Sequence, residues 1–465
     1  MSEAVRTLLA YTGSTGAGDA LFACTESGIW DCTTSGSAPV RVVYFPNTGE
    51  NAGYGISTNY VALGGKYLLY CDEDNGLFIY DGTAGVWAAA VFGTGDGQIS
   101  GVDPSTLVFV TSWKNRLWFV ARDSTMAWYL PVGQIAGVAE SFEFGTKLRY
   151  GGELVGLWSW TGDGGFGIDD FLVAISTAGD VAIYQGTDPT SASYFALKGV
   201  WYVGGVPAGR RIATDTGGDL LILTPFGVLP ISALVSGGEK LNPEIYPSKN
   251  IKSLISNLMA TKKDSLGWDI RLHPVDNSLL ILVPGETQQL AMAVATKGWS
   301  TYQGVPMTCC EVWQGTLYFG TSDGRVCVND GWADNVALDG TGATAINWGL
   351  LGSFQELGVS RWKRVQLLRP DFITTGETVA YSVSARFDFD LADLPLGTEV
   401  PGAAGDVWDL ASWDGAKWSA GIGTAGNVMG STGIGSHIAL ELTGSSMAKV
   451  IYAGCQMTWD VGGVL

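Results

Sequence analysis

Two histidines, seven cysteines and 45 carboxylates are the side chains of this 465-residue chain best suited to chemistry. A nucleophile triad needs an imidazole. His273 precedes Pro274 in an Arg-Leu-His-Pro turn and His437 stands at a Gly-rich strand start, so each reads as a surface or core residue before a general base. Neither falls at ligand spacing with Cys or the other His, and no CxxC occurs, which argues against zinc. Cys309 and Cys310 are adjacent, so strand geometry points them to opposite faces. Cys24 and Cys32 lie symmetrically about Gly28 and are expected as two buried free thiols. An odd, dispersed set of cysteines fits a protein made in the cytosol.

Two loops resemble ligand sites and lack the decisive residues. Thr12 to Asp19 (TGSTGAGD) is Gly-rich but has no Gly-Lys-Ser/Thr ending and precedes a strand, so it reads as a turn. Gly162 to Asp170 carries three carboxylates without the Asp-x-Asp-x-Asp-Gly order or closing Glu of a calcium loop, and reads as a hairpin loop. Glycosidase chemistry needs paired carboxylates, and no pair can be singled out. Ser322-Asp323-Gly324 is only a fragment of the Ser-x-Asp-x-Gly-x-x-Trp turns of sialidase-type chains. No catalytic, cofactor-binding or metal-binding residue is therefore assigned, no cofactor is expected, and the chain is expected not to be an enzyme. The densest basic cluster is Arg361-Trp362-Lys363-Arg364. Arg361, Lys363 and Arg364 are the candidate contacts with another subunit or an adaptor, since rare basic groups on an acidic chain attract acidic partners. The competing reading is a solvated strand face.

Composition supplies the setting. Charged residues are 15% and hydrophobic ones 46%, which excludes a disordered or coiled-coil protein. The 66 glycines and the 18 Trp, 17 Tyr and 17 Phe point to many short strands joined by tight turns. A net charge of −19 opposes tight binding to a phosphate backbone. No apolar run approaches a membrane span, and Met1 to Arg6 lacks the features of a signal peptide, so export by the general secretory route is not expected.

One pattern recurs: an apolar run, a short Gly- or Asp-containing turn, and a second apolar run, the signature of a β-hairpin. Copies begin at Leu21, Tyr67, Leu117, Leu172, Leu220, Leu279 and Leu317, spaced 38 to 59 residues apart. Gly28, Gly76, Gly179, Gly227 and Gly324 occupy turn positions. That spacing matches propeller blades of about 40–45 residues, whereas a string of hairpins in sandwiches is the alternative. The expected fold is all-β: a β-propeller of six or seven blades over residues 1–335, with the strand around Val5 to Tyr11 closing it against the last hairpin. One inserted helix is expected at about 243–262. Its stripe is Ile251, Leu254, Ile255 and Leu258, with Pro243 and Pro247 limiting it upstream. It would plug a propeller face, dock a neighbouring subunit or pack on its own propeller. Residues 336–465 read as a separate β-sandwich, with a long Gly-rich loop from Leu391 to Ser431 suited to contact with another chain.

Several segments go beyond this generic pattern. Leu157 to Pro189, containing LWSWTGDGGFGIDD and STAGDVAIYQGTDP, resembles a segment of tail proteins of short-tailed bacteriophages. Gly101-Val102-Asp103-Pro104, Lys114-Asn115-Arg116-Leu117, Ala127 to Pro131, Pro207 to Arg211 and the Trp-Asp-rich stretch Trp408 to Trp418 are similar as well. The family resembled is the tail nozzle, also called tail tubular protein B or the tail hub and DNA-stabilisation protein.

The resemblance implies a propeller-containing structural subunit in the virion, made in the host cytoplasm. It would assemble as a homohexameric ring below an adaptor ring and extend the tail tube as the channel for genome retention and ejection. Further partners implied are tail fibres or a needle or tip protein, with the host envelope met at the tip. The chain is short for a nozzle subunit, which leaves fibre docking and the tip open. DNA would pass without tight binding through a bore lined by acidic side chains. A second function remains in view: a carbohydrate-directed tail protein, either receptor binder or propeller glycosidase, for which Trp408, Trp413 and Trp418 are the ambiguous aromatics.

Overall fold

Each of the seven apolar hairpins forms the second and third strands of its own antiparallel sheet. Burial explains their composition. Ala20–Thr25 and Leu220–Thr224 are buried at every residue, so they carry apolar side chains on both faces without alternation. A first strand precedes each hairpin; in the second sheet it is the more polar Gly55–Ala62, ahead of Gly65–Asp72 and Gly76–Asp81, whereas in the first it is the buried, apolar Thr7–Tyr11. Among the described residues, five of the seven sheets end in a fourth strand and the fifth and seventh have three. This computed structural model describes residues 1–13, 18–163, 168–191, 193–236, 246–337, 341–374, 379–391 and 423–462. The chain divides into two units, Met1–Asn329 and Asp330–Leu465.

Within the first unit, apolar cores join the sheets in order. Leu9 and Phe22 of the first sheet meet Leu68 and Phe78 of the second. Leu69 and Leu77 meet Val110 and Leu117 of the third. One large core spans the third, fourth and fifth sheets through Trp118, Leu172 and Ile222. Leu223 meets Ile270 and Leu279 of the sixth, and Leu282 meets Cys310 and Phe319 of the seventh. Val5, Leu8 and Ala23 then pack with Cys309, so the seventh sheet meets the first. At that seam the Val5 N–H donates to Thr321 O at 3.0 Å and the Thr308 hydroxyl donates to Val5 O at 2.5 Å. The strand Thr7–Tyr11 itself pairs along its length with Ala20–Thr25, so residues ahead of the strand make the backbone contact with the last hairpin.

The inserted region holds two helices among the described residues where the sequence suggested one. Ile231–Ser236 directly follows the strand Gly227–Pro230 and buries Ile231 and Leu234 one turn apart, too short a pattern to stand out from the hairpin before it. Lys252–Lys262 follows a 3-10 turn at Lys249–Ile251. Its buried stripe centres on Ile255 and Met259, flanked by Ile251 and Leu258, while Leu254 is 41% exposed. This helix packs on Leu221, Trp268 and Leu279 of its own unit. Pro243 lies outside the described residues.

In the second unit, strands Thr344–Leu351, Ile438–Ser446 and Ala380–Phe387 form one sheet with the short Ala333–Asp334. Lys363–Thr374 and Val450–Val461 pair antiparallel in another. Val365, Leu368 and Phe372 of the second sheet share an apolar core with Tyr381, Val383, Ile438 and Leu442 of the first.

Candidate functional site

The residues that sequence reasoning singled out are dispersed. His273 is buried, with Nδ1 3.1 Å from Asp276 Oδ2. His437 Nε2 lies 3.5 Å from Glu356 Oε1, and its Nδ1 is 3.0 Å from Ser436 Oγ. That trio looks like a triad until Asp388 is considered. Its Oδ1 accepts from the Ser436 hydroxyl at 2.9 Å and from the N–H groups of Ser436 and His437 at 2.8 and 2.9 Å. The carboxylate ties down the chain turn, and these donors, the His437 N–H foremost, hold its pKa below the usual range. In the carboxylate-rich hairpin loop, Asp170 is engaged by Lys114 Nζ at 2.8 Å and the Thr161 hydroxyl at 3.0 Å. Residues 164–167 of that loop, residues 14–17 and the stretch Trp408 to Trp418 lie outside the described residues.

All seven thiols are free. Cys309 and Cys310 enter two different cores, as alternation requires. Cys24 faces Ile29 across its hairpin rather than Cys32.

The basic cluster separates into two roles. Arg361 and Arg364 are exposed, but Lys363 is fully buried and its ammonium donates to the carbonyls of Arg361 at 2.9 Å and Ser436 at 2.8 Å. Alternation along the strand places Lys363 inward with Val365, so this lysine fastens the start of its strand and leaves the outer surface to the two arginines.

A site that the sequence did not mark lies at the centre of the first unit. The first strands of all seven sheets line one cavity of about 470 Å³. Its charged wall begins at Arg211. The guanidinium Nε sits 2.8 Å from Asp269 Oδ2, with the side chains 7% and 0% exposed. The contact is ionic rather than an aligned hydrogen bond, because neither Asp269 oxygen receives a well-directed donor. Arg211 also donates to the Thr7 hydroxyl at 2.7 Å, Arg6 O at 3.1 Å and Gly55 O at 3.2 Å, so one side chain joins the first, second and sixth sheets. Burial alone would lower the Arg211 pKa; the Asp269 carboxylate reverses this and raises it. On the same strand, Arg271 reaches Glu311 Oε2 of the seventh sheet at 3.1 Å. Burial pushes the Glu311 carboxyl up, opposed by Arg271.

The neighbouring Arg210 makes a second clamp. It contacts Glu73 through Nε at 2.6 Å and Nη2 at 3.1 Å, and donates to the carbonyls of Leu154 and Val155 at 3.1 and 2.8 Å. Beside Glu73, the buried Asp72 accepts from Gly53 N–H at 2.6 Å, Tyr70 OH at 2.9 Å, Asn75 Nδ2 at 2.8 Å and the N–H groups of Asp74 and Asn75. Burial nevertheless pushes its pKa to about 6.

Sequence reasoning noted Pro207 to Arg211 only as a segment of resemblance. The available signal was charge at alternate positions in otherwise apolar strands: Asp269 and Arg271, then Glu311 after Cys309. Chemically, the arrangement joins strands, shields charge and offers polar groups to the cavity. Among the described residues no group of three or more His, Cys, Asp or Glu side chains is placed to hold a metal ion.

No family model matches the sequence, and no curated protein matches it. Among solved structures, the chain is similar to the crystal structure of the computationally designed Ika8 protein. The similarity has 11% identity and a TM-score of 0.38, over 70% of this chain and 96% of that one.

Proposed function

We propose that this chain is a structural subunit of a short-tailed phage tail: a seven-bladed β-propeller followed by a β-sandwich, without catalysis of its own. Six copies would form a nozzle ring beneath the adaptor. The observation that carries the reading is the succession of seven small sheets whose first strands share one cavity and whose cores return to the first sheet. Such a succession supports the radial repeat that the tail-nozzle resemblance implies.

The genome channel in this reading is the space enclosed by six subunits, not the axial cavity of one. Each subunit brings a net charge of −19. An acidic bore would repel DNA over a Debye length of about 8 Å and keep the polyanion from adhering. Exposed Arg361 and Arg364 would meet an acidic neighbour, either another subunit or the adaptor. Imaging of the purified protein, alone and with the tail adaptor ring, tests the reading. A six-fold ring with a central hole is expected at least in the adaptor's presence, together with weak DNA affinity. Monomers in both samples, or DNA affinity that falls steeply with salt, would overturn it.

A further inference from the structure

The axial cavity, at about 470 Å³, falls inside the range of roughly 300–1,000 Å³ that small-molecule sites occupy. Arg271 and Glu311 are enclosed by surrounding strands, yet their side chains are 27% and 16% exposed and both line the cavity. Asp269, beside them on the cavity wall, is fully buried, and both its oxygens lack an aligned donor.

The enclosed charges pair off, Arg211 with Asp269 and Arg271 with Glu311, so these pairs select neither an anion nor a cation; the remaining charge of the lining, Asp215, is exposed and accepts from the Gly217 N–H at 2.7 Å. An apolar ligand would strand polar groups. What the wall offers is a guanidinium fork beside a carboxylate, donors and acceptors that two neighbouring hydroxyl groups satisfy at once. Thr111 adds a hydroxyl-bearing residue to the same lining, and Trp158 adds an aromatic one.

We propose that this axial cavity binds a neutral polyhydroxylated small molecule of monosaccharide size, held by Arg271 and Glu311. The inference does not rest on the tail reading and holds for a subunit of any assembly.

Saturation-transfer NMR on the full chain with glucose, galactose, mannose and N-acetylglucosamine is the test, with calorimetric titrations of those sugars, inorganic phosphate and putrescine beside it. At least one sugar is expected to receive saturation. Thr111→Val and Arg271→Lys should each weaken its binding about tenfold, the cost of one hydrogen bond to a charged or polar wall. Thr111→Val preserves volume and leaves both ion pairs intact, so it reports on binding even if the arginine variant fails to fold. Absence of saturation for all four sugars, affinity unchanged in Thr111→Val, or tighter binding of phosphate or putrescine than of any sugar would overturn the proposal.

Discussion

Arg211 and Asp269, 58 residues apart in sequence, are neighbours across a parallel backbone bridge, with their side-chain charges 2.8 Å apart and both almost wholly buried. Removing one partner leaves the other charge stranded, which costs about 3–5 kcal/mol, whereas replacing both with apolar residues is far milder. Arg211→Met and Asp269→Leu singly should therefore lower unfolding stability by that amount, with the double variant recovering much of it. Equal losses in the double variant and the summed singles, read from urea unfolding, would show that the two residues do not act as a pair.

Lys363 and its neighbours are expected to behave oppositely. Lys363→Met leaves the carbonyls of Arg361 and Ser436 without their donor and should cost about 1–3 kcal/mol. Arg361→Glu with Arg364→Glu should alter stability by less than about 0.5 kcal/mol, because both side chains are exposed. If those arginines meet an acidic neighbour, the same double variant weakens ring assembly in sedimentation or imaging while its melting temperature stays put.

Asp72 gives the first unit a pH dependence. Its folded pKa of about 6 exceeds the unfolded value of about 3.9, so the folded state holds its proton more tightly. The associated stability is fully present below about pH 4 and is lost as the pH rises through 6, a change of about 3 kcal/mol. Comparison of wild type with Asp72→Asn between pH 4 and 7 isolates this component. A difference between them that stays flat over that window would contradict the assignment.

Gly179 turns the hairpin between Ile168–Ser176 and Asp180–Gly186 at φ +96°. A Cβ there would run into the carbonyl oxygen of Gly204. Left-handed strain and overpacking together put Gly179→Ala at about 2–4 kcal/mol. Gly217, at φ +83° but with open space around it, should tolerate alanine better, and calorimetry of the two variants separates strain from collision.

The hairpins were legible because each is local: two apolar runs and a turn residue such as Gly28 or Gly179 within a dozen positions. Apart from Thr7–Tyr11, the first strands were not. Gly55–Ala62 (GISTNYVA) includes residues that face the axial cavity, so its polar residues mimic a loop. The outer strand Val40–Tyr44 (VRVVY) has strand-favouring residues but is exposed or half-buried throughout and stands outside the paired apolar runs of a hairpin. Lys363 looked like a surface charge because its partners are main-chain carbonyls, which leave no trace in the sequence. Glu73 and Arg210 are 137 residues apart, and nothing local reveals that they meet.

Each of the seven hairpin sheets of the first unit is made from one continuous stretch of chain, and the first sheet borrows no strand from the last; the short parallel pair Ile99–Ser100 with Gly137–Val138 is an exception to local pairing among the described residues. A nascent chain can therefore complete and stack each sheet as it emerges from the ribosome. The closing contacts of the first sheet with the seventh must wait for the end of the unit: the docking of Val5 onto Thr308, Cys309 and Thr321, some 300 residues later, with Leu8 and Ala23 packing on Cys309. No strand exchange or disulfide fastens that junction, so a pulled or heated molecule should part first between its earliest and latest sheets, while the hairpins beside them remain folded.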